Sequence, residues 1–210
     1  MLLYFAGSMI MYEPSEECVT DFWNNGVLKN LPVMSLNPNF IKAASQLRES
    51  CKDNNCGKML REDFLRLFAR EDSTLAPAYE SLYSKNTSGA DNHVSNVSEF
   101  YRSYGWESKF KGKINDDHLG IELLFLTRLI DKYLAFDDEA CRGEMKNEIQ
   151  RFINQHILSW IPEWNKTVQI HSNTLCFKGI GTLILACTED IVSICSQKQP
   201  TDISTDRLKN

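Results

Sequence analysis

The residues best suited to chemistry form a short acidic run with one histidine. Asp116, Asp117 and His118 are consecutive, and Glu122 follows His118 by one helical turn, on the same side of a helix. Carboxylates beside an imidazole are the residue types of general acid–base catalysis. A catalytic triad also needs a positioned nucleophile, and the run supplies none. Asp at such a position more often caps the N-terminus of a helix, and we favour that role here.

The sequence lacks the common catalytic, phosphate-binding and metal-binding motifs. The nearest match to a phosphate loop runs from Gly105 to Lys113, but it has six residues between its glycines and Ile after the lysine. The seven cysteines include no CxxC pair, and the close pair Cys51 and Cys56 has no matching Cys/His pair at zinc spacing. We therefore expect no catalytic residue, no metal site and reduced cysteines, as is usual in a cytosolic protein.

Composition and charge restrict the compartment and the partners. The 28 acidic residues exceed the 23 basic ones and give a net charge of −5, which opposes binding to nucleic acid and favours basic partners. Residues 1–12 are apolar, but no Lys or Arg precedes them and Glu13 follows. A secretory signal needs a basic start, and a membrane span needs about 20 apolar residues. We predict a buried first helix, no membrane insertion and a cytoplasmic location.

The spacing of apolar residues predicts an all-α fold. Nearly every ordered stretch repeats apolar residues at three and four positions, so residues 1–197 should form a single-domain bundle of about eight or more helices. Asn37 should cap one helix, and Asp116 or Asp117 should cap the strongest one. A further helix should run from about Asp138 to Leu158. The polar tail, residues 198–210, is expected to be disordered.

The last part of the bundle should contain an aromatic corner and one long final helix. Trp160, Pro162 and Trp164 stand where one helix ends and the next begins, which favours a structural role in a corner. The final helix is expected to run from about Trp164 to Ile191 with its apolar residues facing the core. His171 is expected on the same inward face.

A long stretch without helical periodicity, residues 72–95, divides the chain into two helical halves. A segment of this length inside a domain is usually functional or a linker. Tyr79 and Tyr83 lie in it, where aromatic residues with a polar tip can meet a partner. A hinge between two halves also permits domain swapping, so we expect a monomer by default, with a swapped dimer as the alternative.

Four blocks in chain order resemble the TorD/DmsD/NarJ family of cytoplasmic chaperones that mature molybdenum-containing redox enzymes. The blocks are LREDFLRLFAREDSTLAPAYESLY at 60–83, VSEFYRSYGW at 97–106, NDDHLGIELLFLTRL at 115–129 and FINQHILSWIPEWNKTV at 152–168. One departure is Asn115, which stands where the family usually has proline. Four blocks at compatible separations are more specific than any one of them.

This resemblance implies a chaperone and not an enzyme. It implies an all-helical domain that binds the twin-arginine signal peptide of a molybdopterin oxidoreductase and holds the enzyme back from export until its cofactor is in place. It implies no stably bound cofactor, only transient contact with the molybdopterin cofactor or a guanine nucleotide. Asp117 and His118 would line the mouth of the groove, and Glu122 would add negative potential. The peptide-binding residues expected on this basis are Tyr79, Ser81, Tyr83, Tyr101, Gly105, Asp117, His118 and Glu122.

Two other functions stay open at this point. A helical hydrolase or nucleotide-binding enzyme would be centred on Asp117 and His118. A helical adaptor would instead recognise a folded surface of its partner. The acidic balance of the chain suits a cationic signal peptide with an apolar run, which favours the chaperone.

Overall fold

The computed structural model describes residues 2–15, 17, 34–50, 56–69, 73–83 and 90–197 of the chain. In these residues the regular structure is helical, apart from one isolated bridge, so the all-α prediction is confirmed. The helices are α1 (Leu2–Met11), α2 (Pro38–Glu49), α3 (Cys56–Phe64, continued by a π-helical turn, Leu65–Ala69), α4 (Glu80–Tyr83), α5 (Ala90–Ser103), α6 (Leu119–Ala135), α7 (Glu139–Phe152, continued by a π-helical turn, Ile153–Ile157), α8 (Ile161–His171) and α9 (Leu175–Ser196).

Two helices start where the sequence predicts them. The side chain of Asn37 accepts a hydrogen bond from the backbone N–H of Asn39 at 2.9 Å, with Pro38 in the first turn of α2. Asp138 accepts from the N–H of Cys141 at 2.8 Å and begins α7. The predicted cap at Asn37 and the predicted helix start at about Asp138 are confirmed, because each depends only on residues close to it in the chain.

The predicted cap of the strongest helix is wrong. His118 caps α6, and its Nδ1 accepts from the N–H of Gly120 at 3.0 Å. Asp116 instead accepts a hydrogen bond from the hydroxyl of Ser98 at 2.6 Å, and Asp117 accepts from another segment of the chain. The two carboxylates therefore join separate parts of the fold and leave the helix end to the imidazole.

The predicted final helix is divided into α8 and α9. Asp63, which is only 1% exposed, accepts from the hydroxyl of Ser172 at 2.7 Å. It also accepts from the N–H of Thr174 at 2.9 Å and from its hydroxyl at 2.8 Å. These bonds stabilise the break between the two helices. His171 ends α8 as an exposed residue, so its predicted inward position is wrong.

The segment 72–95 was predicted to be irregular, but both of its described parts, 73–83 and 90–95, contain helical residues. Residues 80–83 form the single turn of α4, and α5 begins at Ala90. The first residues of α5 are mostly polar and leave no apolar stripe, which is why periodicity missed them. Residues 84–89 and the tail, 198–210, lie outside the described residues.

The core is built around α9, which packs against α1, α2, α7 and α8. A Cβ atom on Gly179 would lie 2.7 Å from the Cγ of Leu47, so α2 approaches α9 too closely for any larger residue. Within the described residues, α9 is also the one helix long and apolar enough to cross a membrane. Half of that apolar stretch is buried inside the fold, which is the position of a core helix.

Among the described cysteines, Cys56 differs from expectation. Cys56 is disulfide-bonded, whereas Cys141, Cys176, Cys187 and Cys195 are free thiols. The prediction of reduced cysteines is therefore wrong at Cys56, because sequence spacing alone does not reveal pairing.

Candidate functional site

A short segment, bridged to α6 at Tyr79 and helical from Glu80 onward, lies across the N-terminus of α6. We call residues 78–83 the strap. The N–H of Leu119 donates to the carbonyl of Ala78 at 2.8 Å, and the N–H of Glu80 donates to the carbonyl of Asp117 at 3.0 Å. These two bonds form the isolated antiparallel bridge in this helical fold. They place the predicted residues of the strap directly beside the acidic run.

Side chains hold the strap on both sides. The N–H of Ser81 donates to Oδ2 of Asp117 at 3.2 Å. The ring of Tyr79 meets the His118 ring edge to face, with 4.9 Å between centroids. On the other side, Tyr83 stacks on Trp160 at 5.6 Å. The strap therefore connects the start of α6 to the corner before α8.

Three buried carboxylates lie beneath the strap and form what we call the carboxylate cluster: Glu80, Asp117 and Glu122. Their residues are 3%, 0% and 0% exposed. Oε2 of Glu80 lies 3.2 Å from Nδ1 of His156, which is also buried. A buried carboxylate is costly unless it is paired or protonated, and this imidazole provides such a partner for Glu80.

Two members of the cluster have carboxyl oxygens without a donor. In the described part of the chain, Oδ1 of Asp117 and both carboxyl oxygens of Glu122 accept no hydrogen bond. Burial raises the pKa of Glu122 well above its usual value, and the charges of Glu80 and Asp117 raise it further. The indole of Trp160 lowers this pKa, although its N–H donates to the carbonyl of His156 at 2.6 Å. The cluster thus offers three buried acceptor oxygens without donors.

Tyr101 is the buried neighbour of this cluster on α5. Its hydroxyl donates to the carbonyl of Asp116 at 2.9 Å. Burial raises the pKa of Tyr101 well above its usual value, and nearby carboxylates raise it further. Those carboxylates are Glu122, Asp116, Glu80 and Asp117. The interior of the site therefore disfavours any further negative charge.

His118 is not arranged as a catalytic base. Burial lowers the pKa of His118 to about 4, so the ring is neutral at neutral pH. Its Nδ1 is occupied by the N–H of Gly120. No hydroxyl or thiol of the described residues forms a hydrogen bond with it. This geometry lacks the nucleophile that a hydrolase centred on Asp117 and His118 requires.

The structure brings seven of the eight predicted binding residues to the strap or the cluster. Tyr79, Ser81 and Tyr83 are half-buried on the strap. The others at this site are buried: Tyr101, Asp117, His118 and Glu122. Asp117 and His118, at 0% and 7% exposed, therefore lie inside the protein and not at the mouth of a surface groove. Gly105 is exposed in the turn after α5 and borders a groove that none of the other seven lines.

Glu80 and His156 belong to the site but were not predicted as binding residues. Each is an ionisable residue inside one of the four sequence blocks, and that is the signal that could have found them. The aromatic corner lies directly beside them. Trp160 and Trp164 are buried at 1% and 0% exposed, whereas Pro162 is exposed. The indole N–H of Trp164 donates to the carbonyl of residue 76 at 3.2 Å, just before the strap.

The described residues contain no group of three or more side chains arranged to hold a metal ion. The site therefore offers buried carboxylates, two imidazole rings and aromatic rings. Such a set of groups suits the recognition of a cationic group.

Comparison with known proteins assigns the chain to a family. The family described as "Nitrate reductase delta subunit" matches residues 35–166, more than half of the chain. Two curated relatives are named "Chaperone protein TorD", from Actinobacillus pleuropneumoniae serotype 3 (strain JL03) and serotype 7 (strain AP76). Each is 32% identical over 133 residues, which cover 60% of this chain and 58% of the relative. The relatives are named as chaperones and not as enzymes. The resemblance found in the sequence is confirmed, and this chain belongs to the nitrate reductase delta subunit family, that of the TorD and NarJ chaperones.

Proposed function

We propose that the chain is a cytoplasmic chaperone for a molybdopterin-containing oxidoreductase. It binds the twin-arginine signal peptide of that enzyme, its apo form, or both, and assists cofactor insertion and proofreading before export. The observation that carries the proposal is family membership, because the matched range, 35–166, contains the whole strap and the whole carboxylate cluster.

The unmet acceptors of the cluster support recognition of arginine. A guanidinium presents five N–H donors in a fixed plane, and it pairs with carboxylates in a bidentate manner. Oδ1 of Asp117 and both oxygens of Glu122 lack donors among the described residues. An arginine side chain placed beside them would supply those donors and a compensating positive charge. A lysine would do so less well, because it is a point charge.

The strap supplies the apolar contacts that the rest of a signal peptide needs. Leu82 is 61% exposed although it is apolar, and Tyr79 and Tyr83 are half-buried beside it. Because Asp117 and Glu122 are fully buried, an arginine reaches them only when the strap moves. The two backbone bonds of the bridge contribute about 0.5–1.5 kcal/mol each, a cost that charged hydrogen bonds to the cluster can offset.

Calorimetry with the full chain tests the proposal. The ligand is a synthetic signal peptide with a twin-arginine motif followed by an apolar run, and the control peptide has both arginines replaced by glutamine. We expect the control peptide to bind at least about tenfold more weakly, and binding of the native peptide to weaken with salt. Glu122→Gln should reduce affinity by about tenfold, whereas Glu99→Gln, on the exposed face of α5, should not change it.

Proton release gives a second readout. Glu122 is neutral in the free chaperone when its pKa lies above the solution pH, and a guanidinium beside it would favour the carboxylate. Peptide binding should therefore release a proton, and the measured heat should differ between phosphate and Tris buffers. The difference should disappear in Glu122→Gln. Equal affinities for both peptides, together with unchanged binding in the variant, would overturn the proposed site.

The two alternatives make different predictions. If the oxidoreductase without its leader binds as well as the complete enzyme, the chain is an adaptor for a folded partner. Turnover of phosphoesters above the buffer background would support a hydrolase, which the geometry of His118 does not favour. Transient contact with the molybdopterin cofactor or a guanine nucleotide stays a prediction. So does the monomeric state, which light scattering over a concentration series measures.

A further inference from the structure

A concave site lies at the C-terminal end of α5, and no residue of the strap or the carboxylate cluster lines it. It is a groove of about 390 Å³ between the turn that follows α5 and the outer face of α6. Its walls include Tyr104, Gly105, Trp106, Phe125 and Arg128. The volume falls within the range of ligand pockets in proteins, about 300–1,000 Å³.

The floor of the groove is apolar and held in place by ring packing. Phe125 and Leu129 are each 1% exposed and line it from α6. The Trp106 ring lies 5.3 Å from that of Phe125, and the Tyr104 ring is stacked on Phe100 at 5.8 Å. Such a floor is pre-formed and can accept an aromatic or branched aliphatic side chain without rearrangement.

The rim of the groove is cationic. Arg128 and Lys132 are exposed and lie one turn apart on α6, and neither forms an ion pair within the described part of the chain. Lys132 lies over the Tyr104 ring, with 5.2 Å from Nζ to the centroid. Asp131 is the one acidic residue of the lining. The rim therefore carries a net positive charge.

Exposed basic residues also outnumber exposed acidic ones in the sequence around the groove. Between residues 102 and 132, six basic residues are exposed, whereas Glu107 and Asp131 are the exposed acidic ones. The six are Arg102, Lys109, Lys111, Lys113, Arg128 and Lys132. The whole chain has a net charge of −5, so this region has the opposite sign. A cationic signal peptide would be repelled here, and an anionic partner would be attracted.

We propose that this groove binds an acidic peptide segment of a partner protein, with one aromatic or branched aliphatic side chain on the Phe125–Leu129 floor and neighbouring carboxylates beside Arg128 and Lys132. Charge complementarity identifies this occupant, and the apolar floor distinguishes it from a simple anion. The inference is independent of the signal-peptide site, because no residue of the strap or the carboxylate cluster lines the groove.

Fluorescence anisotropy with the full chain tests this site. The probe is a short fluorescein-labelled peptide of alternating Asp and Phe, and its controls replace Asp by Asn or Phe by Ala. We expect both control peptides to bind more weakly than the probe. The double variant Arg128→Glu with Lys132→Glu should weaken probe binding by about tenfold. The matched double variant Lys42→Glu with Lys58→Glu changes the net charge equally on exposed parts of α2 and α3, and it should leave binding unchanged.

Several results would overturn the inference. One is an equal loss of probe binding in both double variants, which would show only a response to net charge. Another is equal binding of the probe and its Asn control. Binding of a single-stranded DNA oligonucleotide in place of the peptide would assign the groove to a different class of ligand. Circular dichroism verifies that both double variants are folded, and Arg128→Gln with Lys132→Gln should give an intermediate loss. Unchanged binding of the twin-arginine peptide by Arg128→Glu with Lys132→Glu separates this site from the proposed signal-peptide site.

Discussion

Replacement of Glu122 by Gln is the most direct test of the electrostatics inside the fold. Glutamine keeps the size of the side chain and removes its ionisable group. Glu122 is 0% exposed, burial raises its pKa, and the carboxylates of Glu80 and Asp117 raise it further. The folded protein therefore keeps a proton on Glu122 at pH values where the unfolded chain has lost it.

The sign and size of the effect follow from proton linkage. Between the unfolded pKa of Glu122, about 4.3, and its higher folded pKa, the folded state binds more protons than the unfolded state. The stability of the wild type consequently falls as pH rises in this window, by about 1.4 kcal/mol per pH unit from this one group. Glu122→Gln lacks that contribution. Its stability relative to the wild type should rise by the same slope until the folded pKa is passed, and then stay constant.

Urea unfolding followed by circular dichroism between about pH 5 and about pH 8 measures this difference. Glu80, Asp117, Tyr101 and the remaining ionisable groups are present in both proteins, so their own pH dependence largely cancels in the comparison. Glu99→Gln is the matched control on an exposed surface, and its stability should follow the wild type at every pH. Parallel curves for Glu122→Gln and the wild type would refute the reasoning.

Three further predictions concern stability. Asp63→Ala should cost about 3 kcal/mol in urea unfolding, because it leaves several buried donors of the α8–α9 break without an acceptor; a loss below about 0.5 kcal/mol would contradict this. Gly179→Ala should destabilise the protein by about 1–3 kcal/mol through contact with Leu47, whereas Gly143→Ala, with open space around it in α7, should stabilise it by about 0.5–1 kcal/mol in the same assay. His118→Asn keeps a capping side chain but removes a group whose folded pKa, about 4, lies below its unfolded value of about 6.5. The wild type should therefore lose stability as pH falls from about 6.5 to about 4, and the variant should lose less over that range.

Local signals in the sequence predicted most of the helical fold. The caps at Asn37 and Asp138 depend on neighbours two or three residues away, so the chain alone specifies them. The break between α8 and α9 depends instead on Asp63, which is 109 residues from Ser172. No pattern within residues 164–191 contains that information, and the apolar period there is consistent with one continuous helix.

The sequence predicted which residues form the candidate site but not how deeply they are buried. Residue types and the family resemblance identified Asp117, His118 and Glu122. Their burial depends on the strap, which crosses α6 through backbone bonds that carry no side-chain signature. The pairing of Glu80 with His156 joins residues 76 positions apart, and nothing in either block specifies the other. The sequence alone therefore identifies the charged residues of the site, whereas their burial depends on the tertiary fold.

The free energy that the cluster costs in the free chaperone becomes available when a ligand binds. Three acceptor oxygens without donors lower stability by about 1–3 kcal/mol each when they are buried. A ligand that supplies donors only to the folded state recovers part of that cost. The recovered free energy then adds to the free energy of ligand binding. A change that relieves the cluster itself, such as Glu122→Gln, should then stabilise the free protein near neutral pH and weaken signal-peptide binding together. Gly143→Ala, which stabilises the fold far from the cluster, should raise stability without any change in affinity. The pair of variants thus distinguishes a local exchange of free energy at the site from a general effect of stability.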